Sequence, residues 1–417
     1  MKAIIIGAGI GGLTTALSLH AAGIEAEVYE AADAVRPLGV GINLLPHAVR
    51  ELSELGLADD LAAIGVATEA LVYANRHGQE IWREPRGLGA GYRWPQYSLH
   101  RGALQMALLA AVRARLGPAA VRPGHAAVAA HSQGDGAVVR FASGETARGD
   151  LVVAADGIHS ALRAQAYPAE GPPIWNRRVL WRGVTEGPAF LGGRTMVMAG
   201  HGAQKFVAYP IDPASAPGRS RINWIAELRF AEGPDWRRED WNRAGDRAQI
   251  GPPFAAWNFG WLDAPGLIAG ADQVFEYPMV DRDPVGRWTF GRVTLLGDAA
   301  HAMYPIGSNG ASQAILDART LAFELARRPS VEAALDAYEA ERRPATARLI
   351  ELNRGEGPER VMQMAEDRAP EGFSDVADIL SRAELEAVAD GYKRAAGFDR
   401  EALNARGSLS VAGGLDA

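Results

Sequence analysis

The sequence predicts an α/β protein with a parallel-sheet nucleotide-binding unit at its start, an antiparallel sheet in its middle and helices at its end. Three observations carry this. A glycine-rich turn at residues 7–12 joins a short apolar strand to a helix. Two further apolar strands, near 151–155 and 292–296, end where aspartate and glycine adjoin. Between about 175 and 285, aromatic and β-branched residues alternate with period two. The expected organisation is a discontinuous binding domain from 1–174 and 286–355, a sheet domain over 175–285 and a helical tail over 356–417.

Ala3 to Ile6 is long enough for one buried parallel strand, and it runs into Gly7-Ala8-Gly9-Ile10-Gly11-Gly12. Leu13, Ala16, Leu17 and Leu19 then recur at helical spacing, Gly23 stops the helix, and Glu27 to Glu30 reads as the next strand. Gly7, Gly9 and Gly12 have the GxGxxG spacing, with Gly11 inside the same turn. The first glycine suits a tight turn, the second a close approach of backbone to a pyrophosphate, and the third close helix–strand packing. Free amides at the helix start favour a diphosphate. Glu30, at the end of the second strand, suits a ribose diol. This Rossmann-like unit does not by itself separate NAD from FAD, and a glycine turn without a ligand is the plain alternative.

Leu151 to Ala155 forms another apolar strand ending in Asp156-Gly157, with Ser160 and Arg163 on the helix that follows. Arg292 to Leu296 ends in Gly297-Asp298-Ala299-Ala300-His301; Pro305, Asn309, Gly310 and Ala311 come next, then a helix through Asp317. A carboxylate at a strand end suits a polyol hydroxyl, and the amides of residues 309–311 suit the electron-rich pyrimidine edge of a flavin. Taken singly, Asp156 could be a helix cap and Asp298 a turn residue.

In order, GAGIGG, ADGIHSALR and GDAAHAMYPIGSNGASQAILDA resemble the three motifs of the group A FAD-dependent aromatic hydroxylases, flavoprotein monooxygenases. Further segments extend the resemblance to about residue 355: RPLGVGINLLPHAV, PQYSLHRGALQM, WRGVTE, VAYPI, YPMVDRDP and NGASQAILD. They are most similar to family members that act on phenazine carboxylates. The resemblance implies FAD as resident cofactor, NADH or NADPH as transient co-substrate, and O2. It implies hydroxylation of an aromatic or N-heteroaromatic ring through a flavin C4a-hydroperoxide, in a cavity kept dry. It also implies FAD contacts from Arg101, for which a surface ion pair is the alternative, and from Arg36, for which a plain surface charge is. Gly41 would let backbone approach the flavin ring, and Pro305 would sit over its face, contributing shape and no acid–base catalysis. Ser308 and Ser312 depart from the family, many of whose members carry glycine and asparagine at those positions.

Val179 to Val184, Phe206 to Pro210 and Arg221 to Trp224 alternate as antiparallel strands should, and such a sheet would roof the substrate. Trp181, Tyr209, Trp224 and Tyr304 are candidates to line an aromatic pocket, with ordinary core packing as the alternative. Arg182 is the candidate partner for a substrate carboxylate. His100 and His301 are expected to hydrogen-bond locally, and neither is assigned a catalytic role. The tail shows helical periodicity around Ile379 to Ala389, and Gly407 to Ala417 is expected to fray.

Composition narrows the function classes. A net charge of −7 provides no global positive field for nucleic acid or anionic membrane. Absence of cysteine removes disulfides, thiolate metal sites and a cysteine nucleophile, and no metal site is expected. No run approaches the roughly twenty apolar residues that span a bilayer, and no signal peptide is legible, so a cytoplasmic monomer or homodimer is expected. Three rivals remain. A flavin-dependent halogenase needs a lysine beside its substrate and a WxWxIP segment, whereas Lys205 is the mid-chain lysine and Asn223-Trp224-Ile225 is not that segment. A non-catalytic or redox-sensing flavoprotein would bind FAD without turnover. A two-dinucleotide reductase would need a second GxGxxG unit, which the sequence does not contain.

Overall fold

The computed structural model describes residues 1–37, 39–231 and 243–411. Its organising element is a six-stranded sheet in the order Thr289–Phe290, Val293–Leu295, Leu151–Ala154, Lys2–Ile6, Glu25–Tyr29, Val121–Arg122. Ala3, Ile4 and Ile5 are fully buried, as a parallel strand covered on both faces requires. Lys2–Ile6 pairs in parallel with Leu151–Ala154, which pairs in parallel with Val293–Leu295. The register aligns Ile6, Ala154 and Leu295, so the glycine turn, Asp156 and Asp298 emerge side by side at one end of the sheet. Ligands of open α/β sheets bind at this carboxyl end.

The second sheet has seven strands in the order Val274–Asp281, Ile174–Pro188, Arg219–Arg229, Gln204–Pro210, Thr195–His201, Ala70–Ala74, Glu80–Pro85. It is antiparallel except where Thr195–His201 runs parallel to Ala70–Ala74. Two of its strands therefore come from upstream of the 175–285 stretch expected to form it. Side chains alternate between its faces. Trp181, Phe206 and Trp224 point to the face covered by the helices Arg247–Phe254 and Ala264–Ala269, in one core with Ile250, Phe254 and Leu267. Leu71, Tyr73, Met196, Met198, Val207 and Tyr209 point to the other, against Val361 and Met362 of the helix Arg360–Arg368.

The chain after 356 folds back over the molecule. The helix Arg382–Ala395 opens with a capping box in which Ser381 and Glu384 satisfy each other's backbone amides. Residues 407–411, expected to fray, are instead pinned: Arg50 donates to the Gly407 carbonyl at 2.7 Å and Ser408 to Glu54 at 2.7 Å. The remaining residues of that segment, 412–417, lie outside the described residues. Among the described residues no helix is long and apolar enough to cross a membrane.

This closure buries His47, whose ring stacks on Phe398 at 5.3 Å and whose two nitrogens have no hydrogen-bond partner. Burial, then the nearby Arg406 and Arg342 cations, depress its pKa to about 3. Unfolded histidine binds a proton below about pH 6.5. Unfolding therefore takes up a proton between those values, and stability falls as pH drops through that window. His47→Leu is expected to lose about 2 kcal/mol less than the wild type between pH 7.5 and 5, read from urea unfolding. Parallel losses in the two proteins would show that His47 is not the titrating group.

Candidate active site

The glycine turn is built by backbone constraint. Gly7 has φ +102°, open to glycine, and its amide donates to the Tyr29 carbonyl at 2.7 Å. A Cβ on Gly12 would overlap the Gly7 carbonyl oxygen, so strand and helix approach as closely as a bare backbone allows. Gly11 packs on Leu296 and Ala314, beside the third motif. Gly9 precedes the helix Ile10–Ala21 in ordinary extended backbone, with nothing within 4 Å of where a Cβ would stand. Glu30 accepts the amides of Ala8 at 2.8 Å and Ala32 at 2.9 Å, which brings its carboxylate to the turn.

Asp156 uses one carboxylate oxygen to cap the helix Ala161–Ala166, accepting from Ala161 at 2.9 Å, while its Oδ1 is buried without a partner. Burial pushes its carboxyl up, against hydrogen bonds from Ser160 and the helix amides. Asp298 is exposed at the start of the short helix Asp298–His301, after Gly297 with φ +61°. The helix Gly310–Arg327 begins without a side-chain cap, so its first amides face outward at partly exposed Gly310 and Ala311. Asn309 turns its side chain inward, donating to the Gly307 carbonyl and to Tyr392 Oη, each at 3.0 Å. Pro305 is exposed at the head of this loop. Ser308 takes φ +57°, a left-handed region that favours glycine.

Three buried networks hold these motifs. Asp317 accepts from the Gly297 amide at 3.1 Å and Arg342 Nε at 2.7 Å, and lies 2.5 Å from His301 Nε2. Burial raises its carboxyl, but His301 and Arg342 outweigh that and hold it below the usual carboxylate range. Arg163 reaches from the second motif to the third, donating to the carbonyls of Ala299 at 3.1 Å and Ala300 at 2.8 Å. Tyr392 Oη lies 2.9 Å from Asn353 Oδ1 and 3.1 Å from the Ile306 carbonyl, with its one proton shared between these acceptors, so a residue of the tail positions the loop after Asp298. His100 caps the helix Arg101–Leu116 through Gly102, a local bond as expected, whereas His301 bonds to Asp317 on the following long helix.

Gly41 opens the strand Gly41–Leu44 of a small three-stranded sheet and packs against the seven-stranded one. Its amide donates to Asn223 Oδ1 at 2.6 Å and its carbonyl accepts from Arg182 Nη2 at 2.6 Å. A Cβ there would stand 2.8 Å from Tyr209 and 2.7 Å from Asn223. Arg182 Nε and Asn223 Nδ2 are left buried without partners. Burial raises the Tyr209 hydroxyl, against the charge of the nearby Arg182 and the polar side chain of Asn223. Arg101 is exposed and lies along Gly39, and Arg36 is exposed in the same loop.

Two of the proposed pocket residues belong elsewhere. Trp181 donates to Glu276 at 2.9 Å and Trp224 to Thr185 at 3.0 Å, both on the sheet face turned away from Gly41. Strand pairing in the neighbouring register puts Arg182 and Asn223 on the near face and their tryptophan neighbours on the far one. Tyr304 is buried with Leu180, Met279 and Ile306. Lys205, the lysine a halogenase would need beside its substrate, is held between Glu227 at 2.9 Å and Glu359.

A cavity of about 20 Å³ lies between the near sheet face, the loop at Gly307 and Ser308, and the tail residues Tyr392, Lys393 and Phe398. Tyr73, Glu84, Arg86 and Gln96 give it a polar end. Sequence reasoning singled out none of these four, nor Asn223, as site residues; Tyr73, Glu84 and Arg86 stand outside every quoted segment, and Gln96 lies within PQYSLHRGALQM without a role being read for it.

A family model described as an FAD binding domain matches residues 1–353. The phenazine 1,6-dicarboxylic acid hydroxylase PhzS of Lysobacter antibioticus is 47% identical over 366 residues, spanning 84% of this chain and 88% of that protein. The 3-amino-4-hydroxybenzoate 2-monooxygenase PtnB3 of Streptomyces platensis is 34% identical, spanning 85% and 87%. Among solved structures, Klebsiella pneumoniae HpxO complexed with FAD and uric acid matches with a TM-score of 0.75 at 27% identity, covering 93% of this chain and 97% of that one. The sheet end that gathers three distant motifs, and relatives similar over most of both lengths, place this chain in the family of FAD-dependent aromatic hydroxylases.

Proposed function

We propose that this monooxygenase uses NAD(P)H and O2 to hydroxylate a flat N-heteroaromatic ring of the phenazine-carboxylate type. The observation that carries the reading is the cavity between the loop following Asp298 and the near face of the seven-stranded sheet. Leu71, Met196 and Met198 form its apolar side, with polar groups at one end only; at about 20 Å³ it must widen to admit a ring. The similarity to a phenazine dicarboxylate hydroxylase at 47% identity supports the ring class.

FAD fits the residues at the sheet end. Gly9 is open on the side a pyrophosphate would take, and Asp156 Oδ1 is a buried acceptor without a partner. Glu30 and the Gly7–Gly12 turn would hold the adenosine end, Asp298 the polyol, and the amides of Gly310 and Ala311 the pyrimidine edge. Arg101 and Arg36 would flank the cofactor, and Gly41, fixed by Asn223 and Arg182, would present bare backbone to its ring. When bound, FAD supplies hydride acceptance and oxygen activation. The chain supplies position and dryness: Arg182 Nε and Asn223 Nδ2 are buried donors, and Pro305 shapes the loop. The balance is Ar–H + NAD(P)H + H⁺ + O2 → Ar–OH + NAD(P)⁺ + H2O.

FAD-loaded protein should oxidise NAD(P)H faster with phenazine-1-carboxylate present and give a product one oxygen atom heavier. If no aromatic acid or heterocycle stimulates oxidation, the non-catalytic flavoprotein reading takes its place. Chloride-dependent halogenated product would favour the halogenase.

A further inference from the structure

The polar end of the cavity carries more charge information than its apolar walls. Tyr73 is 1% exposed, Arg86 8% and Gln96 2%. Tyr73 Oη, Arg86 Nε and Gln96 Oε1 are each buried without a hydrogen-bond partner. Orphaned polar atoms are costly in a folded protein and are explained when a ligand completes them. The charges beside them are paired with one another and leave these atoms free. Glu84 pairs with Arg86 Nη2 at 2.8 Å, accepts from Trp82 Nε1 at 3.0 Å and lies 3.6 Å from Lys393 Nζ. Lys393 Nζ also lies 3.5 Å from Asp390, so Arg86 and Lys393 are matched by Glu84 and Asp390; what the wall lacks is partners for its buried polar atoms, which a carboxylate accepting from Arg86 Nε and Tyr73 Oη would supply.

We propose that Arg86, with Tyr73 and Gln96, forms the subsite that takes a single carboxylate substituent of the ring substrate, selecting it over neutral analogues. This deepens the hydroxylase reading above and rests on it. Arg86 Nε–H donates to the carboxylate while its Nη2 stays on Glu84, and the Tyr73 hydroxyl, kept protonated by burial, donates the second hydrogen bond. Gln96 Oε1 accepts from a ring N–H or hydroxyl, or its amide turns to donate. A cavity of about 20 Å³ has room for one water rather than a ring, so the wall made by Tyr392, Lys393 and Phe398 moves as the ligand enters. Lys393 then travels with the tail, and Arg86 on its strand end is the fixed member of the pair.

The test is equilibrium binding to FAD-loaded protein by titration calorimetry, with phenazine-1-carboxylate and phenazine-1-carboxamide as probes. Wild type should bind the acid about tenfold or more tightly than the amide. Arg86→Gln should bring that ratio close to one, with amide affinity kept within about twofold. Glu84→Gln, which adds net positive charge, should tighten the acid and leave the amide unchanged. Equal binding of both probes by wild type, binding of neither, or an acid preference that survives Arg86→Gln overturns the proposal. If Arg86→Gln fails to fold, Tyr73→Phe decides: it must weaken the acid severalfold, and unchanged acid affinity overturns the subsite. Selective acid binding without stimulated NAD(P)H oxidation sinks the hydroxylase reading and keeps the subsite. Stimulated turnover without acid selectivity does the reverse.

Discussion

Gly12→Ala is expected to give a protein that neither retains FAD through gel filtration nor keeps wild-type stability. The added Cβ would stand inside the contact radius of the Gly7 carbonyl oxygen, and that atom is backbone, so no side chain can swing aside. Either the helix Ile10–Ala21 lifts from the strand or the Gly7 turn opens. Gly7 cannot yield cheaply, because its φ of +102° is bound to the Tyr29 carbonyl and its own Cβ position faces the Ala155 carbonyl. Overpacking of this kind costs about 1–3 kcal/mol, and more where backbone is involved. Gly9→Ala makes the contrast. Nothing stands within 4 Å of that Cβ, and Gly9 has φ −75°, so the apoprotein should fold with a wild-type urea midpoint and still lose FAD affinity by about a hundredfold. Normal FAD retention in Gly9→Ala would refute the assignment of that open side to the pyrophosphate.

Arg163→Ala is expected to cost about 3–5 kcal/mol, the range for breaking a buried charged pair. The guanidinium is 1% exposed and donates to the carbonyls of Ala299, Ala300 and Asp283 as well as to Glu170. Its removal leaves three carbonyls without that donor, and leaves Glu170 with Arg282 at 3.0 Å among the described residues. Ala299 and Ala300 belong to the helix that starts at Asp298, so the FAD dissociation constant should rise together with the loss of stability. Arg163→Lys should recover little, because an ammonium cannot span donors arranged as a planar fork. Urea unfolding of the apoprotein and flavin fluorescence titration separate the two effects. A destabilised variant with unchanged FAD affinity would confine Arg163 to fold support.

Much of the binding end was legible because its constraints are local. The glycine spacing, the apolar runs of 3–6 and 151–155, and aspartate beside glycine after each later strand state what the backbone must do there. The predicted local hydrogen bonding of His100 follows from the same kind of reasoning, while His301 finds its partner in the more distant Asp317. The near wall of the cavity was legible only in part. Arg182 and Tyr209 do meet at Gly41, but Trp181 and Trp224, one residue away in register, face the opposite core. Period two announces that a strand has two faces and is silent on which one meets the nucleotide-binding sheet.

By itself the sequence determined the α/β class and the strand–turn–helix opening, each set by neighbours within a few positions, and the FAD family through the resemblance of three widely spaced motifs taken together. The tertiary structure alone decided that Ile6, Ala154 and Leu295 end in register, that strands from 70–85 complete the second sheet, and that Tyr392 of the tail anchors the loop after Asp298. It also brought Arg86 and Gln96 to the cavity with atoms unpaired. The physical reason is common to all four. Such contacts join residues tens to hundreds of positions apart, and their energy comes from burying faces against one another, which no local pattern encodes.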